Sequence, residues 1–269
     1  MKLAIDIGNT TVKAAIFENP ETDRPDKLQV RTPLRYLRLE EHDSEALARF
    51  VEGVEIDQCM VSATTDVTET MRNCFMQLSR GHVQYLDHTT SIPVRNCYAT
   101  PHTLGPDRLA AAIGAYAQAQ ETDPHHHCPV LIIDSGTAIT YDFVTADGQY
   151  LGGNISPGVE MRFHALHTFT AHLPYVTIHE GEPANGQEET LIGNSTATAI
   201  EHGVIDGVRR EIEGTIRQFV LKYPNVLVFL TGGDKFRFEE TLKKRIFAEK
   251  FLVLKGLDII LRYNQSKTR

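Results

Sequence analysis

Two short runs carry the residue types that phosphate chemistry needs. Asp6-Ile7-Gly8-Asn9-Thr10-Thr11-Val12-Lys13 ends an apolar run in a carboxylate, turns through Gly, Asn and Thr, and starts a second apolar run with a Lys. Such a turn exposes backbone N–H groups and hydroxyls, and glycine lets the backbone approach an anion with no Cβ in the way. Asp6 would repel phosphate unless a cation lay between them, so it reads as a Mg²⁺ partner, directly or through water. Lys13 can reach the same phosphates. Alone, the run also reads as a plain hairpin with an Asp-initiated turn. The pattern recurs, however, in Asp134-Ser135-Gly136-Thr137-Ala138-Ile139-Thr140, 128 positions after Asp6. One copy near the start of each half of a 269-residue chain is the mark of a duplicated fold.

The elements that must position these residues follow from periodicity. Residues 2–7 and 12–18 predict a β-hairpin, and a third strand is expected around 27–33. A helix is expected from Ser44 to Val54, where Leu47, Phe50 and Val51 recur at helical spacing. A buried strand over Gln58–Ala63, a helix over Asp66–Ser79 and a short strand over His82–Leu86 come next. Gly105-Pro106 opens an Ala-rich helix with Leu109, Ile113 and Ala117 on one face, a spine between the halves. Val130–Asp134 and Ala138–Val144 predict the second hairpin, Tyr150–Ile155 a further strand, and Ser195–Lys222 a long amphipathic helix. Asn225–Leu230 reads as a buried strand running into Thr231-Gly232-Gly233. The expectation is a mixed α/β chain of two lobes, 1–115 and 116–269, with the ligand in the cleft between them.

Composition narrows the function. Hydrophobic residues make up 41% and charged residues 23%, enough to build sizeable cores. A net charge of −8 without a Lys/Arg block argues against nucleic acid or an anionic membrane and for a small-molecule substrate. Asp6 interrupts what a signal peptide would need, and no segment approaches about 18 apolar residues, so a cytoplasmic protein is expected. Cys59, Cys74, Cys97 and Cys128 are scattered without zinc-ligand spacing and read as reduced thiols. His125-His126-His127 reads as a solvated loop. Neither the Walker pattern nor a dinucleotide fingerprint occurs.

What remains is the actin-like ATPase superfold of acetate and sugar kinases, hsp70 and actin, whose two duplicated ribonuclease H-like lobes each present a hairpin to ATP. Within it the chain resembles type III pantothenate kinases. Asp6-Ile7-Gly8-Asn9-Thr10, Gly105-Pro106-Asp107-Arg108, Asp134-Ser135-Gly136-Thr137-Ala138, Gly152-Gly153-Asn154-Ile155-Ser156-Pro157-Gly158 and Thr231-Gly232-Gly233 occur in the family's order. The resemblance implies phosphorylation of the primary hydroxyl of pantothenate by ATP, opening coenzyme A synthesis. An alcohol needs a base, and Asp107 is the carboxylate that the family's pattern uses; its bland role is a charge favoured at a helix start.

By the same resemblance Tyr98, Gly105, Pro106, Arg108 and Thr196 belong to the pantothenate site. Arg108 would offer a bidentate fork to the substrate carboxylate, with a structural ion pair as the competing role. For Thr196 the competing role is a helix N-cap. Residues 6–13, with Thr137, Gly232 and Gly233, belong to the nucleotide. The resemblance assigns Asp134 a monovalent cation, K⁺ or NH₄⁺, where the residues alone suggest Mg²⁺. It also implies a homodimer whose partner completes the pantothenate pocket, with the long helix from Ser195 as a candidate interface. A regulatory nucleotide-binding protein on the same fold, or a kinase of another small hydroxy acid or sugar alcohol, stays open. Retention of Asp6, Asp107 and Asp134 together favours the enzyme.

Overall fold

The computed structural model describes residues 1–19, 28–122, 127–177, 192–233 and 246–268. In the first half, β1 (Lys2–Ile7), β2 (Val12–Phe17) and β3 (Arg35–Leu39) form an antiparallel meander. α1 (Ser44–Phe50) leads to β4 (Gln58–Ala63), which returns parallel to β1, and α2 (Glu69–Leu78) leads to β5 (Val83–Tyr85), parallel to β4. The sheet order is β3-β2-β1-β4-β5.

The second half repeats this plan. β6 (Arg95–Asn96) and α3 (Pro106–Thr122) precede β7 (Val130–Ser135), β8 (Ala138–Val144) and β9 (Gln149–Pro157), again an antiparallel meander. After α4 (Val159–Thr168) and α5 (Thr196–Lys222), β10 (Leu227–Gly232) lies parallel to β7 and β11 (Ile246–Ala248) parallel to β10. The chain closes with α6 (Leu252–Thr268). The second sheet runs β11-β10-β7-β8-β9-β6, so the first hairpin of each half occupies the same place in its own sheet.

Strand alternation sorts the side chains into layers. Leu3, Ile5 and Ile7 face a core shared with Leu47 of α1 and Phe75 of α2, whereas Ala4 faces α3 and α6. Likewise Leu131 and Ile133 face Ile200 and Val208 of α5, while Val130 and Ile132 face α3 and α6. The helix pair α3–α6 therefore fills the space between the sheets. It packs almost backbone to backbone: a methyl group on Gly256 would lie 1.8 Å from the Ala110 carbonyl oxygen, and one on Gly114 2.4 Å from that of Leu252. The Ala-rich composition of α3 is what permits so close a crossing.

The third strand differs from expectation, lying at Arg35–Leu39 instead of around 27–33. Pro33 removes a ladder donor, and pairing begins only beyond it. The apolar residues Leu28 and Val30 instead pack on the central core, with the Val30 N–H donating to Glu121 Oε1 at 2.7 Å. α4, α6, β6 and β11 were not anticipated from the sequence. Of the histidine run, His125 and His126 lie outside the described residues, and His127 Nδ1 contacts Gln120 Oε1. The four cysteines are free. Among the described residues no helix is long and apolar enough to cross a membrane.

Candidate active site

The two hairpin turns meet. In the first, Gly8 N–H donates to the Thr11 carbonyl at 2.9 Å, closing the turn and leaving Asn9 and Thr10 exposed. In the second, Gly136 N–H donates to the Ala138 carbonyl at 3.1 Å, and the exposed Thr137 is supported by Gly158, whose N–H donates to the Thr137 carbonyl at 3.0 Å. Thr10 Oγ1 and Thr137 Oγ1, 127 positions apart in sequence, are 3.5 Å apart in space. Two sets of hydroxyls and N–H groups thus converge on one place. Ile7 and Val12 are buried in the core of the first sheet and paired with each other, so these two members of the run shape the turn with apolar side chains.

Each turn has its carboxylate. Asp6 is 7% exposed, paired across the hairpin with Lys13, and its Oδ1 has no hydrogen-bond partner among the described residues. Burial pushes its pKa up to about 7 against the pull of Lys13, with the negative charges of Asp107 and Asp134 adding to the rise. Asp134 is raised to about 6, again by burial first, with Lys13 opposing and Asp107 and Asp142 reinforcing. Two desolvated carboxylates sharing one Lys leave negative charge uncompensated, and the orphaned Asp6 oxygen fits a cation ligand. Among the described residues no three His, Cys, Asp or Glu side chains gather around one point. A cation here would therefore complete its shell with phosphate oxygens, water or backbone carbonyls.

Gly232 ends β10 opposite Ser135 with φ +99°. A methyl group there would meet the Ser135 carbonyl oxygen at 2.1 Å and Asp134 Oδ1 at 2.6 Å, so this glycine lets β10 close against the Asp134 turn. Gly233, one residue on, would bring a methyl group within 4 Å of no atom among the described residues.

Asp107 stands in the first turn of α3, its Oδ1 accepting from the Arg108 N–H at 2.8 Å. Gly105 makes room for that carboxylate, since a methyl group there would lie 2.5 Å from Asp107 Oδ1. Burial raises the pKa of Asp107, partly opposed by the Arg108 N–H and helped by Asp142. The carboxylate is thereby a stronger base than an exposed Asp. That Asp6 and Asp134 both respond to its charge ties it electrostatically to the two turns.

Arg108 takes the competing role that the sequence left open, a structural ion pair. Its fork is closed on Asp142, with Nε 3.2 Å from both carboxylate oxygens and Nη2 2.7 Å from Oδ1. The physical reason is burial: a guanidinium 7% exposed needs an internal counter-charge, and Asp142 on β8 supplies it. Tyr150 donates to the same Oδ1 at 2.6 Å, and the Tyr98 ring lies 5.8 Å from the guanidinium carbon. Tyr98 itself stands on Gly152, where a methyl group would come within 2.7 Å of the ring. Sequence reading missed Asp142 and Tyr150; the available signal was a carboxylate inside the otherwise apolar strand Ala138–Val144.

Thr196 stands apart. The cap of α5 is Ser195, whose Oγ accepts from Thr198 N–H at 3.2 Å while Thr198 Oγ1 accepts from Ser195 N–H at 3.0 Å. The exposed Thr196 instead lines an open groove of about 1180 Å³ between α4 and α5, with Arg162, Phe169, Leu173 and Asn194. No hydrogen bond among the described residues joins it to the Asp107 group.

Two sheets of one topology, each turning a Gly-Thr hairpin towards the other, define the actin-like ATPase fold. Component A of (R)-2-hydroxyglutaryl-CoA dehydratase from Acidaminococcus fermentans has a similar fold, with a TM-score of 0.50 at 12% identity over 99% of this chain and 98% of that one. The activator of the 2-hydroxyisocaproyl-CoA dehydratase from Clostridium difficile, solved with bound ADPNP, gives a TM-score of 0.52 at 13% identity over 99% and 97%. Sequence comparison goes further. A family model described as type III pantothenate kinase matches residues 2–218. Proteins so named from Phocaeicola vulgatus and Bacteroides fragilis strain YCH46 are 43% and 42% identical to this chain, covering 98% and 99% of it and 99% and 100% of their own lengths. The chain belongs to the type III pantothenate kinase family.

Proposed function

We propose that this chain transfers the γ-phosphoryl group of ATP to the primary hydroxyl of pantothenate, forming 4'-phosphopantothenate and ADP, the first committed chemistry of coenzyme A synthesis. The observation that carries the reading is the half-buried Asp107, of raised basicity, coupled to two facing turns that carry hydroxyls and N–H groups. The hydroxyl proton passes to an Asp107 carboxylate oxygen as the new O–P bond forms and the bond to the ADP oxygen breaks. Thr10, Thr137 and the backbone N–H groups around Gly8 and Gly136 receive phosphate oxygens, with Lys13 as the fixed positive charge. Thr11 supports the first turn through its carbonyl. Gly232 and Gly233 allow the nucleotide to approach β10. Tyr98, Gly105, Pro106 and Arg108 bound the acceptor beside Asp107.

Asp6 would hold Mg²⁺ and Asp134 a monovalent cation, K⁺ or NH₄⁺. Such cations supply the positive charge that lets phosphates lie beside desolvated carboxylates. A homodimer is part of the same reading, with a second copy covering the groove at Thr196, whose lining includes Phe169 at 85% exposure. Sedimentation equilibrium tests it, and a monomer at micromolar concentration would refute it. The division into lobes at 1–115 and 116–269, with the ligands in the cleft, and a cytoplasmic location, where ATP is at hand, complete the proposal.

ADP release by the purified protein, with and without pantothenate, in K⁺ buffer and in Na⁺ buffer, tests the reaction. Pantothenate-dependent release that needs K⁺ is expected. Folded protein that releases no ADP in either buffer at high ATP would overturn the reading in favour of another acceptor or a regulatory role.

A further inference from the structure

The side chain next to the base anchors the start of α3 on the second sheet. Arg108 and Asp142 are 7% and 1% exposed, and both carboxylate oxygens of Asp142 are engaged by the guanidinium. The Tyr150 hydroxyl adds a donor to Oδ1 from β9, the strand paired with β8. A guanidinium is planar and rigid, so fixing Nε and Nη2 also fixes the direction of Nη1. Tyr98, whose ring lies 5.8 Å from the guanidinium carbon, also bonds to the guanidinium, so an acceptor reaching Nη1 would meet Tyr98 beside it. A Lys in place of Arg108 would offer no such second edge.

We propose that Asp142 and Tyr150 are positioning residues of the acceptor site. They lock Arg108 so that its Nη1 corner meets the acceptor's carboxylate, and through the Arg108 backbone they tie the start of α3, with Asp107, to the second sheet. The proposal rests on the kinase reading above. It deepens that reading in one respect: the fork that sequence assigns to the substrate is spent on the protein, and the substrate receives a single, pre-aimed corner.

The test compares wild type with Asp142→Asn and Tyr150→Phe, measuring kcat and the KM for pantothenate and for ATP separately. Asp142→Asn keeps the shape but removes the charge, and the KM for pantothenate should rise about tenfold, the order expected for loosening one charge-assisted hydrogen bond. The KM for ATP should stay within about twofold. Tyr150→Phe should give a smaller rise, about threefold, again confined to pantothenate. A purely structural ion pair would move both KM values together or neither, and either pattern overturns the proposal. Should Asp142→Asn fail to fold, Tyr150→Phe alone decides. The Nε–H resonance of Arg108, assigned by its loss in Arg108→Lys, supplies a readout independent of turnover. It should exchange slowly in wild type and faster in both variants, and equal exchange would refute the lock. Wild type that turns over no pantothenate would sink the kinase reading; wild type that does so, beside variants with unchanged KM, would sink only the positioning role.

Discussion

Replacing Gly232 by Ala probes the junction between β10 and the Asp134 turn more sharply than a change to any charged group. At φ +99° an L residue pays backbone strain of about 1–3 kcal/mol. The added methyl would also lie 2.1 Å from the Ser135 carbonyl oxygen and 2.6 Å from Asp134 Oδ1, an overlap that only a shift of β10 from β7 can relieve. Overpacking of this kind costs a further ~1–3 kcal/mol. The sum, about 2–6 kcal/mol, corresponds to a fall in Tm of roughly 4–24 °C at about 2–4 °C per kcal/mol. Because the shift opens the Asp134 turn, the KM for ATP should rise as well. Gly233→Ala is the control: among the described residues nothing lies within 4 Å of the added methyl, so its stability should stay within about 0.5 kcal/mol of wild type. Thermal denaturation of both variants, with ATP titrations of turnover, reads the outcome. A Gly232→Ala protein with wild-type Tm and KM, or two variants equally destabilised, would refute the packing assigned to this turn.

Asp107→Asn should lower kcat by about 10²–10⁴-fold with no loss of Tm, since it replaces a desolvated carboxylate by a neutral isostere; near-normal single-turnover rates would remove the base assignment. Asp134→Ala should bring turnover in K⁺ down towards that in Na⁺, and an unchanged K⁺/Na⁺ ratio would place the cation elsewhere. Nucleotide-free protein should lose stability as pH rises from about 4 to about 7. In that window the unfolded chain has released protons that Asp6, at about 7, and Asp134, at about 6, still hold, so the slope reaches about 1.4 kcal/mol per pH unit per group. The shifts of Asp87 and Glu211 run the other way and act only at lower pH, where their carboxylates protonate. Urea midpoints at pH 5 and pH 8 check this, and a higher midpoint at pH 8 would mean that the two carboxylates are not desolvated.

What the chain determines locally was legible before any coordinates. The hairpins at Asp6 and Asp134, the start of the Ala-rich helix at Pro106 and the strand running into Thr231-Gly232 are each set by neighbours within a few residues. Strand period, turn chemistry and the proline and glycine signals suffice for them. The repeat of the Asp-Gly-Thr pattern likewise announced that two sheets would share one plan. α6 escaped because it is buried on nearly every side from Leu252 to Arg262 and yet carries Lys255, Asp258 and Arg262 among its apolar residues, so no solvent-facing polar side marks it in the sequence. The strand expected around 27–33 misled for the related reason that its apolar residues pack on a core without a ladder partner.

Only the tertiary structure decided how the site is wired. Thr10 meets Thr137, Arg108 spends its fork on Asp142, and Tyr98 settles on Gly152, each across a separation that no local periodicity encodes. A sequence states which groups are available; which of them must neutralise one another depends on which are buried together, and burial is a property of the packed chain.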